Sequence, residues 1–142
     1  MTLIEKYSLI GNGASHIAGK RVNGIYISGP MTGYPDLNAA QFNRAEQILK
    51  AIPNHYLEIV NPVKFELGVP QHESEFERLL VRDMSIIVAK ALGVVLLPNW
   101  QQSKGVRLEV ATAEFLGNPV TTLEEVVSRG DEFFNEVFKP IL

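Results

Sequence analysis

Two carboxylates in this chain could handle protons or attack carbon. Asp83 falls in "RDMSIIVAKAL", three residues after Leu80, directly before Met84 and one turn before Ile87. At helical spacing it lies on the apolar stripe rather than opposite it. A carboxylate facing a core is costly unless it is paired or borders a cleft. One reading is an ion pair, with Arg82 or Arg107 as the cation. The other is a carboxyl group poised to give or take a proton. Glu109 lies in "VRLEVATAEF", four residues after Gly105 and one turn before Ala113. A glutamate near a helix start is commonly a solvated residue favoured by the helix dipole. Here the helix follows a strand-end loop, so its first turn borders any ligand crevice. Ser103 and Gly105 share that entry, where backbone N–H groups of a helix start can meet an oxygen-rich ligand. Two carboxyl groups facing one pocket are the arrangement that cleaves a glycosidic bond.

A second cluster surrounds "IYISGPMTGYPDLN" (25–38). Gly29 and Gly33 let the backbone approach a ligand closely. The segment lacks both the P-loop and the dinucleotide fingerprint. Taken alone it reads better as a tight strand-to-helix turn, with glycine for its dihedrals and proline for stiffness. Tyr26 alternates with Ile25 and Ile27 and so points to the other face of the strand; by itself it reads as a core aromatic. Trp100, the one tryptophan, sits in a strand-end loop. It could stack on a base or cover the end of the sheet. His16, His55 and His72 share no ligand spacing, so no metal site is expected.

The elements that must position these residues follow from periodicity. "GIYIS" (24–28) is β-branched and apolar, a central strand. Asn38 with Gln41 resembles a capping box, and Phe42, Ala45, Ile48, Leu49 and Ile52 follow at helical spacing until Pro53 and Asn54. "LEIVNP" (57–62) and "GVVLLP" (93–98) read as strands closed by proline. Between them come a flap-like loop, "VKFELGVPQHE", and a helix opened by Ser74 and Glu77 that carries Asp83. "NWQQSKG" is a loop, and "VRLEVATAEFLG" a helix stopped by Gly117. "NPVTT" can hold a short fourth strand. Thr122 and Glu125 cap one last amphipathic helix with Leu123, Val126, Val127, Phe133, Phe134, Val137 and Phe138. Strands alternating with helices predict a doubly wound, flavodoxin-like α/β fold. We expect a mostly parallel sheet of four to five strands in a three-layer α/β/α arrangement. Ligands of such sheets bind beyond the carboxyl ends of the strands, which selects the loops after Ser28, Asn61 and Leu97.

With 142 residues, one domain is expected over 24–142, preceded by an arm or edge segment over 1–23. The formal net charge is -3 and there is no basic run, which argues against nucleic acid as a partner. The absence of cysteine excludes disulfides and thiolate metal sites and fits a cytoplasmic location. "MTLIEKYSLIGNGASH" has no continuous apolar core, so no signal peptide is expected. No apolar stretch approaches the roughly 20 residues of a membrane helix, so no membrane partner is expected either.

"YISGPMTG", "RDMSIIVAKALGVVLLPNW" and "SKGVRLEVATAEFLGNPV" together resemble the nucleoside 2-deoxyribosyltransferase superfamily, in particular its short, often phage- or prophage-associated branch. The resemblance runs over residues 24–122. It implies that Glu109 attacks C1′ of a (deoxy)ribosyl group and that Asp83 protonates or orients the leaving base. It implies that Ser103 contacts the sugar or a 5′-phosphate, and that Tyr26, Gly29 and Met31 line the base and sugar pocket. Ser103 stands where the transferases commonly carry an aspartate and the related nucleoside-monophosphate hydrolases a serine, which leans toward a 5′-monophosphate and hydrolysis. Lys104 and Arg107 are additional basic groups that could bind phosphate or pair with the carboxylates. The implied ligand is a small-molecule nucleoside or nucleotide with no cofactor, and the implied assembly is a homo-oligomer. The Phe-rich C-terminal helix could form such contacts or could cover the domain's own sheet. The alternative is a non-catalytic nucleotide or nucleotide-sugar binding protein on the same scaffold.

Overall fold

The structure, a computed structural model, describes residues 23–53, 55–64 and 93–142. The N-terminal arm, the flap after Lys64 and the Ser74-capped helix with Asp83 lie outside the described residues. Strand β1 spans Gly24–Ser28 and is buried along its whole length. Helix α1 spans Ala39–Ala51, β2 Glu58–Val60 and β3 Gly93–Leu96. Helix α2 (Lys104–Phe115), β4 (Val120–Thr122), α3 (Leu123–Arg129) and α4 (Asp131–Phe138) complete the described chain.

Among the described residues the sheet has four strands in the order β2-β1-β3-β4, all parallel. Tyr26 lies beside Val60 on one flank and Val94 on the other. Alternation along the strands separates two cores. Ile25, Ile27, Val95 and Leu97 pack with Phe42, Ala45 and Leu49 of α1, and with Leu123, Val126, Phe134 and Phe138 of α3 and α4. Tyr26, Val60, Val94 and Leu96 pack with Val106, Val110 and Ala113 of α2. Helices therefore cover both faces, the three-layer α/β/α arrangement expected of an alternating βα pattern.

The local chemistry explains where elements stop. β2 is shorter than "LEIVNP" suggests. Asn61 Oδ1 accepts from the Val63 N–H at 3.2 Å, an Asx turn that bends the chain at a proline with no N–H to donate. Thr122 caps α3, its Oγ1 accepting from the Glu125 N–H at 3.1 Å, as its sequence pattern predicts.

Two expectations are corrected. The last helix is two helices, because Gly130 interrupts it with φ 85° and ψ -171°, a backbone region essentially restricted to glycine. Asn38 does sit before α1, but its side chain makes no capping bond and its own backbone is left-handed, φ 66°. Its Nδ2 instead donates to the Pro30 carbonyl at 2.9 Å. The Phe-rich segment covers its own sheet. Phe134 and Phe138 are fully buried with ring centroids 4.9 Å apart, and each such side chain contributes roughly 1.5–3 kcal/mol through burial.

Candidate functional site

From β1 the chain crosses to β2 on one side, while β3 leads to β4 on the other. The strand order therefore reverses between β1 and β3, and a doubly wound sheet opens its crevice at the carboxyl ends of such a pair. Ser28 ends β1 opposite Leu96. The Leu97 N–H donates to the Ser28 carbonyl at 2.9 Å, which prolongs the pairing by one residue.

Glu109 reaches this point from α2. It is buried, 6% exposed, on the inward face of the helix with Val106, Val110 and Ala113. Ser28 Oγ donates to Glu109 Oε2 at 2.5 Å. A carboxylate withdrawn from water needs such donors, and Ser28 is one of its partners. The sequence marks Ser28 as the end of β1 before a crevice loop but assigns its hydroxyl no role. The available signal was alternation, which puts a serine two residues after Tyr26 on the same face of a buried strand.

The helix that carries Glu109 starts at Ser103, whose Oγ accepts from the Val106 N–H at 3.3 Å. Ser103 is thus the N-cap of α2 and, with Gly105 in the first turn, stands at the crevice side of the helix. Lys104 and Arg107 are exposed beside them. Trp100 opens a short 3-10 turn, Trp100–Gln102, and packs against the α2-side core. It covers the end of that core and remains partly exposed.

The glycine loop has structural duties of its own. A Cβ on Gly29 would lie 2.7 Å from two Leu97 side-chain atoms, so the close approach that needs glycine here is to Leu97. Gly33 has φ +86° with open space around it, inside a turn closed by the Tyr34 N–H on the Met31 carbonyl at 3.2 Å. Met31 packs against the α1-side core. Asp36, Leu37 and Asn38 then follow with φ of 48°, 55° and 66°. Such a left-handed run in non-glycine residues costs about 1–2 kcal/mol per residue and persists only where neighbours enforce it. The Asn38–Pro30 bond is one such restraint.

The structure therefore brings Tyr26, Ser28 and Glu109 to one face of the sheet, with Ser103, Gly105 and Trp100 at the same helix entry. Gly29 and Met31 pack on the other face of β1's end. Tyr26 is 1% exposed and forms part of the core beneath Ser28. Asp83 lies outside the described residues. Among the described residues, no group of three or more His, Cys, Asp or Glu side chains could hold a metal ion, and no helix is long and apolar enough to cross a membrane.

The model of one protein family, Domain of unknown function (DUF4406), matches residues 23–122. The chain belongs to this family. The DUF4406 match begins one residue before β1 and ends with β4, so it contains the four described strands, Ser28, Ser103 and Glu109. Helices α3 and α4 of this DUF4406 protein lie beyond it. No curated protein and no solved structure matches the chain.

Proposed function

We propose that this DUF4406 protein cleaves or transfers the N-glycosidic bond of a (deoxy)nucleoside or its 5′-monophosphate. The observation that carries the reading is the buried carboxylate of Glu109 at the strand-order reversal, held by Ser28. The motifs of the chain resemble the nucleoside 2-deoxyribosyltransferase superfamily, and that resemblance implies the nucleophile's role for Glu109. In the proposed reaction the Glu109 carboxylate attacks C1′ and the C1′–N bond breaks. The base leaves with the electron pair and takes a proton from Asp83. Asp83, now a carboxylate, takes a proton from water or from a second base, which attacks C1′ as the C1′–O bond breaks and Glu109 returns to a carboxylate.

Ser103 supports the 5′-monophosphate as substrate. A capping oxygen retains an O–H that can donate to a phosphate or sugar oxygen, and Lys104 and Arg107 add positive charge nearby. Gly105 and Trp100 at the α2 entry are the proposed lining of the pocket, Tyr26 supports it from the core beneath Ser28, Gly29 and Met31 shape the loop on the far side of β1's end, and no cofactor is needed for the chemistry. Assembly as a dimer or larger is supported by the outer face of α2, where Leu108, Phe115 and Leu116 are exposed, Phe115 at 90%.

The test is release of free base from a panel of nucleosides and nucleoside 5′-monophosphates, followed by chromatography. The wild type releases base; Glu109→Ala, folded by circular dichroism, does not. No release across the panel sinks the reading. Tight calorimetric binding of a nucleotide without product would favour the non-catalytic binding protein, a reading supported by serine rather than an acid at position 103.

A further inference from the structure

We infer that Ser28 is a positioning residue for Glu109, holding its carboxylate at the crevice and favouring its release from the glycosyl-enzyme. The inference rests on the proposed role of Glu109 as the group that takes the sugar.

Ser28 Oγ and Glu109 Oε2 are 2.5 Å apart across 81 positions of sequence, and the two residues are 1% and 6% exposed. Neither end of the bond is on a free loop. Ser28 closes the central strand, and its carbonyl is fixed by the Leu97 N–H at 2.9 Å. Glu109 sits on a helix whose first turn is capped by Ser103 and whose inner face is packed through Val106, Val110 and Ala113. A reactive group supported from a rigid strand and a rigid helix keeps its geometry better than one supported by loops.

The donor is neutral, so it orients the carboxylate without adding charge to the site. A hydrogen bond to an ionised acceptor is stronger than one to a neutral acceptor. The bond therefore weakens when Glu109 gives an oxygen to C1′ and becomes an ester. It strengthens again when the incoming water or base attacks C1′, the C1′–O bond breaks and the electron pair returns to the carboxylate. Ser28 thus favours the second half of the reaction over the resting adduct.

The test compares wild type with Ser28→Ala and Ser28→Cys in steady-state base release, with intact-mass measurement of the sugar adduct. Cysteine fills the space of serine but donates poorly. Both variants are expected to lose about tenfold or more in kcat, the worth of a hydrogen bond to a charged group. KM does not rise, and a larger fraction of the enzyme carries the adduct. A role in packing alone would leave Ser28→Cys like the wild type and overturns the inference, as does unchanged kcat or adduct level in Ser28→Ala. A double-mutant cycle of Ser28→Ala with Glu109→Ala, read by denaturant unfolding, is expected to show coupling of about tenfold in the folding equilibrium; additivity overturns the bond itself. Coupling without any wild-type turnover overturns the role of Glu109, and with it the release step. Turnover that needs Glu109 and ignores Ser28 overturns this inference alone.

Discussion

Asn38 and Pro30 are joined by a 2.9 Å hydrogen bond from the Asn38 amide to the Pro30 carbonyl, eight residues back across the loop that leaves β1. The bond closes that loop on itself beside the strand-order reversal, and Asn38 makes it from a left-handed backbone, φ 66°. Asparagine tolerates that conformation better than most residues. Asn38→Gly keeps the backbone and loses the bond, at about 1 kcal/mol. Asn38→Ala loses both and is expected to cost about 2 kcal/mol. Urea unfolding of the two variants checks the order; equal stability to wild type would show that the bond restrains nothing.

Gly29 and Leu97 are in contact so close that a Cβ at Gly29 would sit 2.7 Å from the Leu97 side chain. Overpacking of this kind costs about 1–3 kcal/mol. Gly29→Ala should therefore lower the thermal midpoint. Leu97→Gly in the same chain should relieve the clash, because it removes the Leu97 Cβ as well as the atoms beyond it, so that the double variant is more stable than the sum of the single losses. Strict additivity in calorimetry would contradict the contact.

Glu46 ties α1 to the Pro62–Lys64 turn that follows β2. Its Oε2 lies 2.6 Å from Lys64 Nζ and 3.6 Å from Lys50 Nζ. Burial pushes its carboxyl up, but the Lys64 hydrogen bond and the two lysine charges outweigh that and hold it below the ordinary value of 4.5. A carboxyl depressed in the folded state adds stability that is present above about pH 4.5 and is lost as pH falls through the folded value. The lysines are more than half exposed, so the contribution is at most about 1 kcal/mol. Glu46→Gln should be less stable than wild type at neutral pH and equal to it in strong acid, measured by urea midpoints. A gap that persists in acid would point to packing instead.

Phe115 stands 90% exposed on the outer face of α2, with Leu108 and Leu116 at 39% and 41%. If copies of the chain meet there, Phe115→Asp should convert the assembly to monomers in sedimentation velocity while leaving the melting profile of the protomer recognisable. A wild type that already sediments as a monomer removes the proposed oligomer.

The order of elements, the alternation of strands with helices and the apolar faces that seat them are legible in the residues alone. Those features repeat every two residues or every turn, so they are set by neighbours in the chain: "GIYIS" is a buried strand wherever it lies, and Thr122 caps α3 through a residue three positions on. The glutamate on α2 was legible in the same way, through its distance from a strand-end loop. Asn38 reads as a side-chain cap because its true partner is reached only once the loop folds back, and the last helix reads as continuous because its periodicity runs across Gly130. Which distant groups meet is settled only by packing. Ser28 faces Glu109 because the register of β1 against β3 brings the two strand ends level and the crossover puts α2 on the Tyr26 face of the sheet. Gly29 meets Leu97 through that same register. A contact across 81 residues depends on strand order, register and the face each helix covers, and these are fixed by packing the whole sheet at once rather than by any stretch of it.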